Sequence, residues 1–150
     1  MSLFRGGLTR ALIVGSLILS AGCGGNGFDE VVCDRQGVTL DEGLRVRDLE
    51  CGTGTSAVKG MSATVSYTAS LEGEEPFDES GNEEFTFHLG AGQVVNGWDE
   101  GLVGMRVGGT RELTVPPELA YGEAGFAPEV PPNATVVYVV ELLELVDPSP

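Results

Sequence analysis

One stretch alone in this chain carries a helical period. Over residues 95–105, Trp98, Leu102 and Met105 recur at i, i+4 and i+7, and Asp99 and Glu100 sit where the positive end of a helix favours acids. Val107-Gly108-Gly109 closes the segment. Every other readable pattern is that of a strand. Residues 63–71 alternate cleanly, with Ala63, Val65, Tyr67, Ala69 and Leu71 on one face and Thr64, Ser66, Thr68 and Ser70 on the other. Residues 43–50 set Leu44, Val46 and Leu49 among charges, residues 83–89 place Phe85 and Phe87 on one side, and residues 110–115 turn Leu113 and Val115 inward. Residues 135–146 are apolar on both faces over much of their length, as in a central strand, and form the longest strand expected. Several strands without intervening helices, plus one short helix, indicate an α+β domain: a curved antiparallel sheet wrapped around that helix.

The first 22 residues read as an address. Arg5 and Arg10 form a basic region, residues 11–19 an apolar run, and Ser20, Ala21 and Gly22 a small-residue cleavage site. That run is too short for a bilayer, which takes about 20 residues. Leu19-Ser20-Ala21-Gly22-Cys23 resembles the lipobox of bacterial lipoproteins, with Ser20 standing where Leu is preferred. The resemblance implies lipidation of the Cys23 thiol, and two or three acyl chains make a stable anchor. An ordinary leader followed by an unrelated cysteine is the alternative. On the lipoprotein reading the chain is exported and anchored in the cell envelope. Gly24, in place of the Asp that signals inner-membrane retention, favours the outer membrane. Residues 23–42 then form a lipidated tether and extension, residues 43–147 the domain and residues 148–150 a tail.

With Cys23 set aside, Cys33 and Cys51 remain as an even pair in an oxidising compartment. A disulfide between them would contribute about 3 kcal/mol by restricting the unfolded chain. Two free thiols are the alternative.

Charge and inventory narrow the chemistry. The net charge is −15, and loss of Arg5 and Arg10 with the leader makes it two units more negative. Such a surface repels phosphate backbones, which excludes nucleic acid as a partner, and it attracts basic unfolded polypeptide. The chain lacks a Gly-x-Ser-x-Gly elbow, and Lys59 precedes Gly60 instead of following it as a phosphate loop requires. His88 is the single histidine and the cysteines are not closely spaced, so neither a hydrolase triad nor a metal site is expected. No cofactor is implied. Carboxylate pairs such as Glu74 and Asp78 suit a glycosidase, but among 23 acids they carry no information.

An aromatic set remains: Tyr67, Phe77, Phe85, Trp98, Tyr121 and Tyr138, with Asp78 following Phe77. Each ring alone reads as core packing. Taken in order, Val65-Ser66-Tyr67-Thr68, Phe77-Asp78, Phe85-Thr86-Phe87, Gln93 to Gly101, Ala120-Tyr121-Gly122, Pro131-Pro132-Asn133-Ala134-Thr135 and Val140-Glu141-Leu142-Leu143 resemble the FKBP-type peptidyl-prolyl cis-trans isomerases. Phe126-Ala127-Pro128-Glu129-Val130 departs from that family's more glycine-rich run, and Tyr138 replaces its customary Phe.

The resemblance implies a proline pocket with Trp98 as its floor. Tyr67, Phe77, Asp78, Trp98, Tyr121 and Tyr138 are then the catalytic set, and Phe85, Gln93, Val94, Val95, Phe126 and Val130 contact substrate. The Val95 N–H and the Tyr121 hydroxyl are the implied donors to substrate carbonyls. Proline-containing polypeptides are the implied substrates, macrolides the inhibitors, and the protein a monomer. The rivals are a non-catalytic proline-binding module and an inert structural lipoprotein.

Overall fold

The computed structural model describes residues 33–148. The expected leader, the lipidation at Cys23, the first half of the tether and extension and the last two residues of the tail lie outside them. Seven strands form one antiparallel sheet: β1 (Val38–Thr39), β2 (Arg45–Glu50), β3 (Ser62–Leu71), β4 (Pro76–Glu79), β5 (Phe85–His88), β6 (Thr110–Val115) and β7 (Val136–Val146). Their order is β1-β2-β6-β7-β3-β4, and β5 pairs with β3 beyond the end of β4. The longest strand, β7, is central, paired along its length with β3 and from Val136 to Glu141 with β6. Its alternate residues Val136, Tyr138, Val140 and Leu142 are buried while the intervening ones are partly or fully exposed. One face of the sheet therefore holds the core, and the apolar side chains on the other face are only half covered.

Helix α1 (Asn96–Gly101) lies against the buried face. It is shorter than the period over residues 95–105 predicts, because the chain tightens after Gly101: Met105 N–H reaches back only three residues, to Leu102 O at 3.1 Å. Trp98, Leu102 and Met105 are nevertheless all buried, as the spacing requires. Two glycines let the helix lie close to the sheet. A Cβ at Gly97 would run into Val115, and one at Gly101 would come within 2.7 Å of Leu113 Cδ2. Val115 and Leu113 are inward residues of β6, so the helix and that strand approach along a line free of side chains on the helical side.

Two features correct the strand reading. In β2 the inward residues are Val46 and Asp48, following Leu44, whereas Leu49 is only half buried and a bulge interrupts pairing between Asp48 and Glu50. The apolar Leu49 signals the wrong face there. In β6 the inward set begins with a charge, Arg111, ahead of Leu113 and Val115. These two buried charges pair with each other across the strands, Arg111 Nη2 to Asp48 Oδ2 at 3.2 Å.

Residues 33–42 are tied to the domain. Cys33 and Cys51 are joined by a disulfide with alpha carbons 5.8 Å apart, within ordinary disulfide reach. Asp34 and Asp48 exchange two hydrogen bonds, from Asp34 N–H to Asp48 Oδ2 at 3.0 Å and from Asp48 N–H to Asp34 O at 2.9 Å. β1 then adds an edge to β2. Among the described residues, no helix is long and apolar enough to cross a membrane.

Candidate active site

A cavity of about 140 Å³ opens where the concave side of the sheet meets α1. Tyr67 of β3, Asp78 of β4, Phe85 of β5 and Tyr138 of β7 contribute from the sheet. Val94 and Val95 come from the turn before α1, Trp98 from the helix, and Tyr121 from the long loop after β6. Residues far apart in sequence thus converge because β3 is paired on one side with β4 and β5 and on the other with β7.

Trp98 is the hub. It is 4% exposed, and its ring lies 5.2 Å from that of Tyr67, 5.3 Å from Tyr138 and 6.2 Å from Phe85, all edge to face. Phe87, which alternation places on the same side as Phe85, packs beneath at 5.6 Å. Edge-to-face contacts of this kind match the positive ring edge to the negative face. The indole Nε1 is buried and makes no hydrogen bond, the only such side-chain atom among the described residues. The ring is therefore held by packing and by the backbone that carries it.

Hydrogen bonding governs the rest of the wall. The Tyr67 hydroxyl donates to Asp78 Oδ2 at 2.9 Å, and the Tyr138 hydroxyl donates to that of Tyr121 at 3.4 Å. Ser80 secures the turn after Asp78, its N–H reaching Tyr67 O at 2.9 Å and its hydroxyl accepting the Tyr67 N–H at 3.0 Å. Burial, then the hydrogen bond and negative charge of Asp78, push the Tyr67 hydroxyl up to about 12. Tyr138 is also pushed well above the ordinary tyrosine range, first by burial and next by its bond to Tyr121. Both groups stay protonated at neutral pH and act as donors.

The turn before the helix is braced from within. Buried Asp99 accepts the Gly90 N–H at 2.7 Å and the Gly92 N–H at 2.9 Å. Val95 O takes the Trp98 N–H at 2.9 Å, whereas the Val95 N–H has no acceptor among the described residues. Val95 lines the cavity, and its N–H is one of the orphan groups a helix start leaves.

The remaining sequence candidates sit outside the cavity lining. The Gln93 side chain faces the strand end and accepts the His88 N–H at 2.8 Å, which braces the same turn. Phe77 packs half-buried against the core. Val130 is buried, and its N–H and C=O exchange bonds of 2.7 and 2.8 Å with Phe126. Phe126 is 56% exposed, and its ring stacks on Tyr121 at 5.4 Å. Sequence reading missed Asp48 and Arg111, which do not touch the cavity. An acid and an arginine each in step with inward apolar neighbours is the signal that points to them.

The cavity offers an apolar, ring-lined surface with neutral donors at its edge. Its one carboxylate, on Asp78, already accepts a hydrogen bond. This suits holding a compact apolar ring whose neighbouring carbonyls accept hydrogen bonds. Among the described residues no cluster of His, Cys, Asp or Glu is placed to hold a metal ion.

Known proteins resemble this chain in sequence and fold. Residues 53–143 match the family model for FKBP-type peptidyl-prolyl cis-trans isomerase. An FK506-binding protein of Neisseria meningitidis serogroup B is 48% identical over 105 residues, 69% of this chain and 96% of the relative. FK506-binding protein 4 of Dictyostelium discoideum is 45% identical over 71% of this chain, which spans only 29% of that longer relative. Among solved structures, FkpA from Escherichia coli superposes with a TM-score of 0.69 at 36% identity, covering 77% of this chain and 54% of that one. AtFKBP13 gives 0.68 at 33% identity, covering 74% and 99%. On the strength of that match and of the Neisseria relative, this chain belongs to the FKBP-type peptidyl-prolyl cis-trans isomerase family.

Proposed function

We propose that the protein accelerates rotation about Xaa-Pro bonds in exported polypeptides, with the proline ring seated on Trp98 and substrate carbonyls facing the Val95 N–H and the Tyr121 hydroxyl. The observation that carries this reading is the ring-lined cavity with an unpaired backbone donor on one of its lining residues. Rotation about the imide faces a barrier of about 18–20 kcal/mol, because resonance is lost when the bond twists. No bond breaks and no proton moves, so a pocket without a base or nucleophile is sufficient. The planar amide is the more charge-separated state, so an apolar wall disfavours it relative to the twisted one. Donors aimed at the twisted conformer add to that. A thousandfold acceleration requires about 4 kcal/mol, within reach of these two effects together.

Asp78 serves by fixing the Tyr67 ring, and Phe77, Phe126, Val130 and Gln93 shape the surroundings of the pocket. The substrates are proline-containing segments of secreted chains, whose unaided isomerisation takes tens to hundreds of seconds. Macrolide inhibitors of the family occupy the same cavity. The protein acts as a monomer, lipid-anchored through Cys23 in the cell envelope, preferably the outer membrane. The basic, apolar and small-residue elements preceding Cys23 support that location.

The test is an isomerase assay on the chain from Asp29 onward with a proline peptide. Acceleration supports the reading; binding of the peptide without acceleration supports a non-catalytic proline-binding module instead. Radioactive palmitate should label the full chain in cells and not its Cys23→Ser variant, and equal labelling of both would remove the anchor.

A further inference from the structure

The Trp98 indole has no hydrogen bond, so its height in the cavity is inherited from the backbone of α1. A helix of six residues has little rigidity by itself. At its start Asp99 ties it to the preceding turn. At its far end the tie is Arg111, which reaches in from β6. Arg111 Nη1 donates to Gly101 O at 2.9 Å and to Val103 O at 3.1 Å, closing carbonyls that the helix end leaves unpaired. Its Nε and Nη2 donate to Asp48 Oδ1 and Oδ2 at 2.6 and 3.2 Å. Arginine and aspartate are 6% and 7% exposed.

Net stability is a poor reason for such a pair. Two charges lose their hydration on burial, and apolar residues of similar volume commonly stabilise a fold as well or better. What the guanidinium supplies is geometry. Its planar fork of donors bridges one carboxylate and two carbonyls at once, which neither an apolar residue nor lysine does. A cation at this end of the helix is also favoured by the helix dipole.

We infer that Arg111, held by Asp48, is a positioning residue for the isomerase site. It fixes the end of α1 against the sheet, and through the helix sets where Trp98 and the Val95 N–H meet the substrate. This rests on the isomerase reading above. Asp48 is itself held by Asp34, so the segment beside Cys33 belongs to the same brace.

The experiment compares the full chain with the double variant Asp48→Leu/Arg111→Met and with Arg111→Lys. Exchange NMR on a proline peptide gives kcat and KM, thermal unfolding gives the midpoint, and the emission of Trp98, the sole tryptophan, reports the pocket floor. The double variant should unfold cooperatively at or near the wild-type midpoint. Its kcat should fall about tenfold to a hundredfold, the scale of a misplaced reacting group, with KM changing less and the emission shifted. Arg111→Lys keeps the charge without the fork and should show a smaller fall in kcat at an unchanged midpoint. Wild-type kcat and emission in the folded double variant would overturn the inference. If that variant does not fold, Arg111→Lys decides: unchanged kcat and emission overturn it, a lower kcat at the same midpoint supports it. A wild-type chain that does not speed isomerisation sinks the isomerase reading, while emission and peptide affinity across the variants still decide for or against the brace.

Discussion

The two sides of the pocket are built by different means. Floor and near wall stand on α1 and the central strands, where Trp98 touches four rings and close glycine contacts seat the helix on β6. The far side, Tyr121 with Phe126 over it, stands on the loop between β6 and β7, which is held by its own turns. Phe126 and Val130 bond each other, Gly125 N–H reaches Tyr121 O at 3.1 Å, and Asn133 N–H reaches Gly122 O at 2.9 Å. Gly125, at φ +63°, has no room for a Cβ beside Val130 and Pro131. The difference teaches a division of labour: the sheet side supplies shape that cannot shift without unfolding, and the loop side presents groups that change at small cost in stability.

The harshest way to break that contrast is on the sheet side. Trp98→Ala empties a buried site and should cost about 3–5 kcal/mol, read as a large drop in the thermal midpoint, with isomerase activity lost together with it. A variant that keeps its midpoint would mean that the floor is no more integral than the loop. Tyr121→Phe probes the other side. Loss of one hydroxyl that accepts from Tyr138 should cost about 1 kcal/mol of stability. Loss of the proposed carbonyl donor should reduce kcat/KM about tenfold. An equal loss of stability in both variants would erase the distinction between the two sides.

How much of this was readable in advance follows the same divide. Trp98, Leu102 and Met105 were legible because a helical period is a strong signal. Tyr67, Leu113 and Val115 were legible because alternation is too, and the long central strand was legible from its nearly continuous apolar run. β1 is two residues long and β4 contains Pro76 with two acids, so neither has a strand pattern, and both form only because a neighbouring strand offers pairing. Asp48 and Arg111 were hidden because pattern reading sends charges outward, and only tertiary pairing allows them inside. Individual site residues came from the family resemblance, since spacing alone could not bring Tyr67, Trp98, Tyr121 and Tyr138 together. That resemblance did not separate the eight lining residues from Gln93, Phe77, Phe126 and Val130, which lie around them.

Alkaline pH sharpens the comparison through the hydroxyls of the sheet side. Tyr67 titrates near 10 in the unfolded chain and at about 12 in the fold. Its contribution is therefore fully present below about pH 10 and lost as pH rises from there through about 12. Tyr138 is shifted in the same direction. Urea unfolding at about pH 8 and about pH 11 should show a fall in stability that is shallower in Tyr67→Phe, with a remainder carried by Tyr138. A fall of the same size in the variant would remove Tyr67 from the account. At neutral pH neither hydroxyl ionises, so titration of the two predicts no change in activity there.

An effect on stability as small as that of Tyr121→Phe is expected at Phe126. More than half of that side chain is exposed, and its main contact is the stack on Tyr121. Phe126→Ala should therefore lower stability by about 0.5–1.5 kcal/mol, the worth of an aromatic pair, far less than the tryptophan substitution. Its effect on catalysis should depend on the peptide, because an exposed ring beside the pocket meets whatever residue flanks the proline. Comparing peptides with apolar, polar and acidic residues before the proline should show the largest loss for the apolar one and little change for the others. A uniform loss across the three would mean that Phe126 acts only by steadying Tyr121, and the loop would then be part of the pocket's frame, as rigid in function as the sheet side.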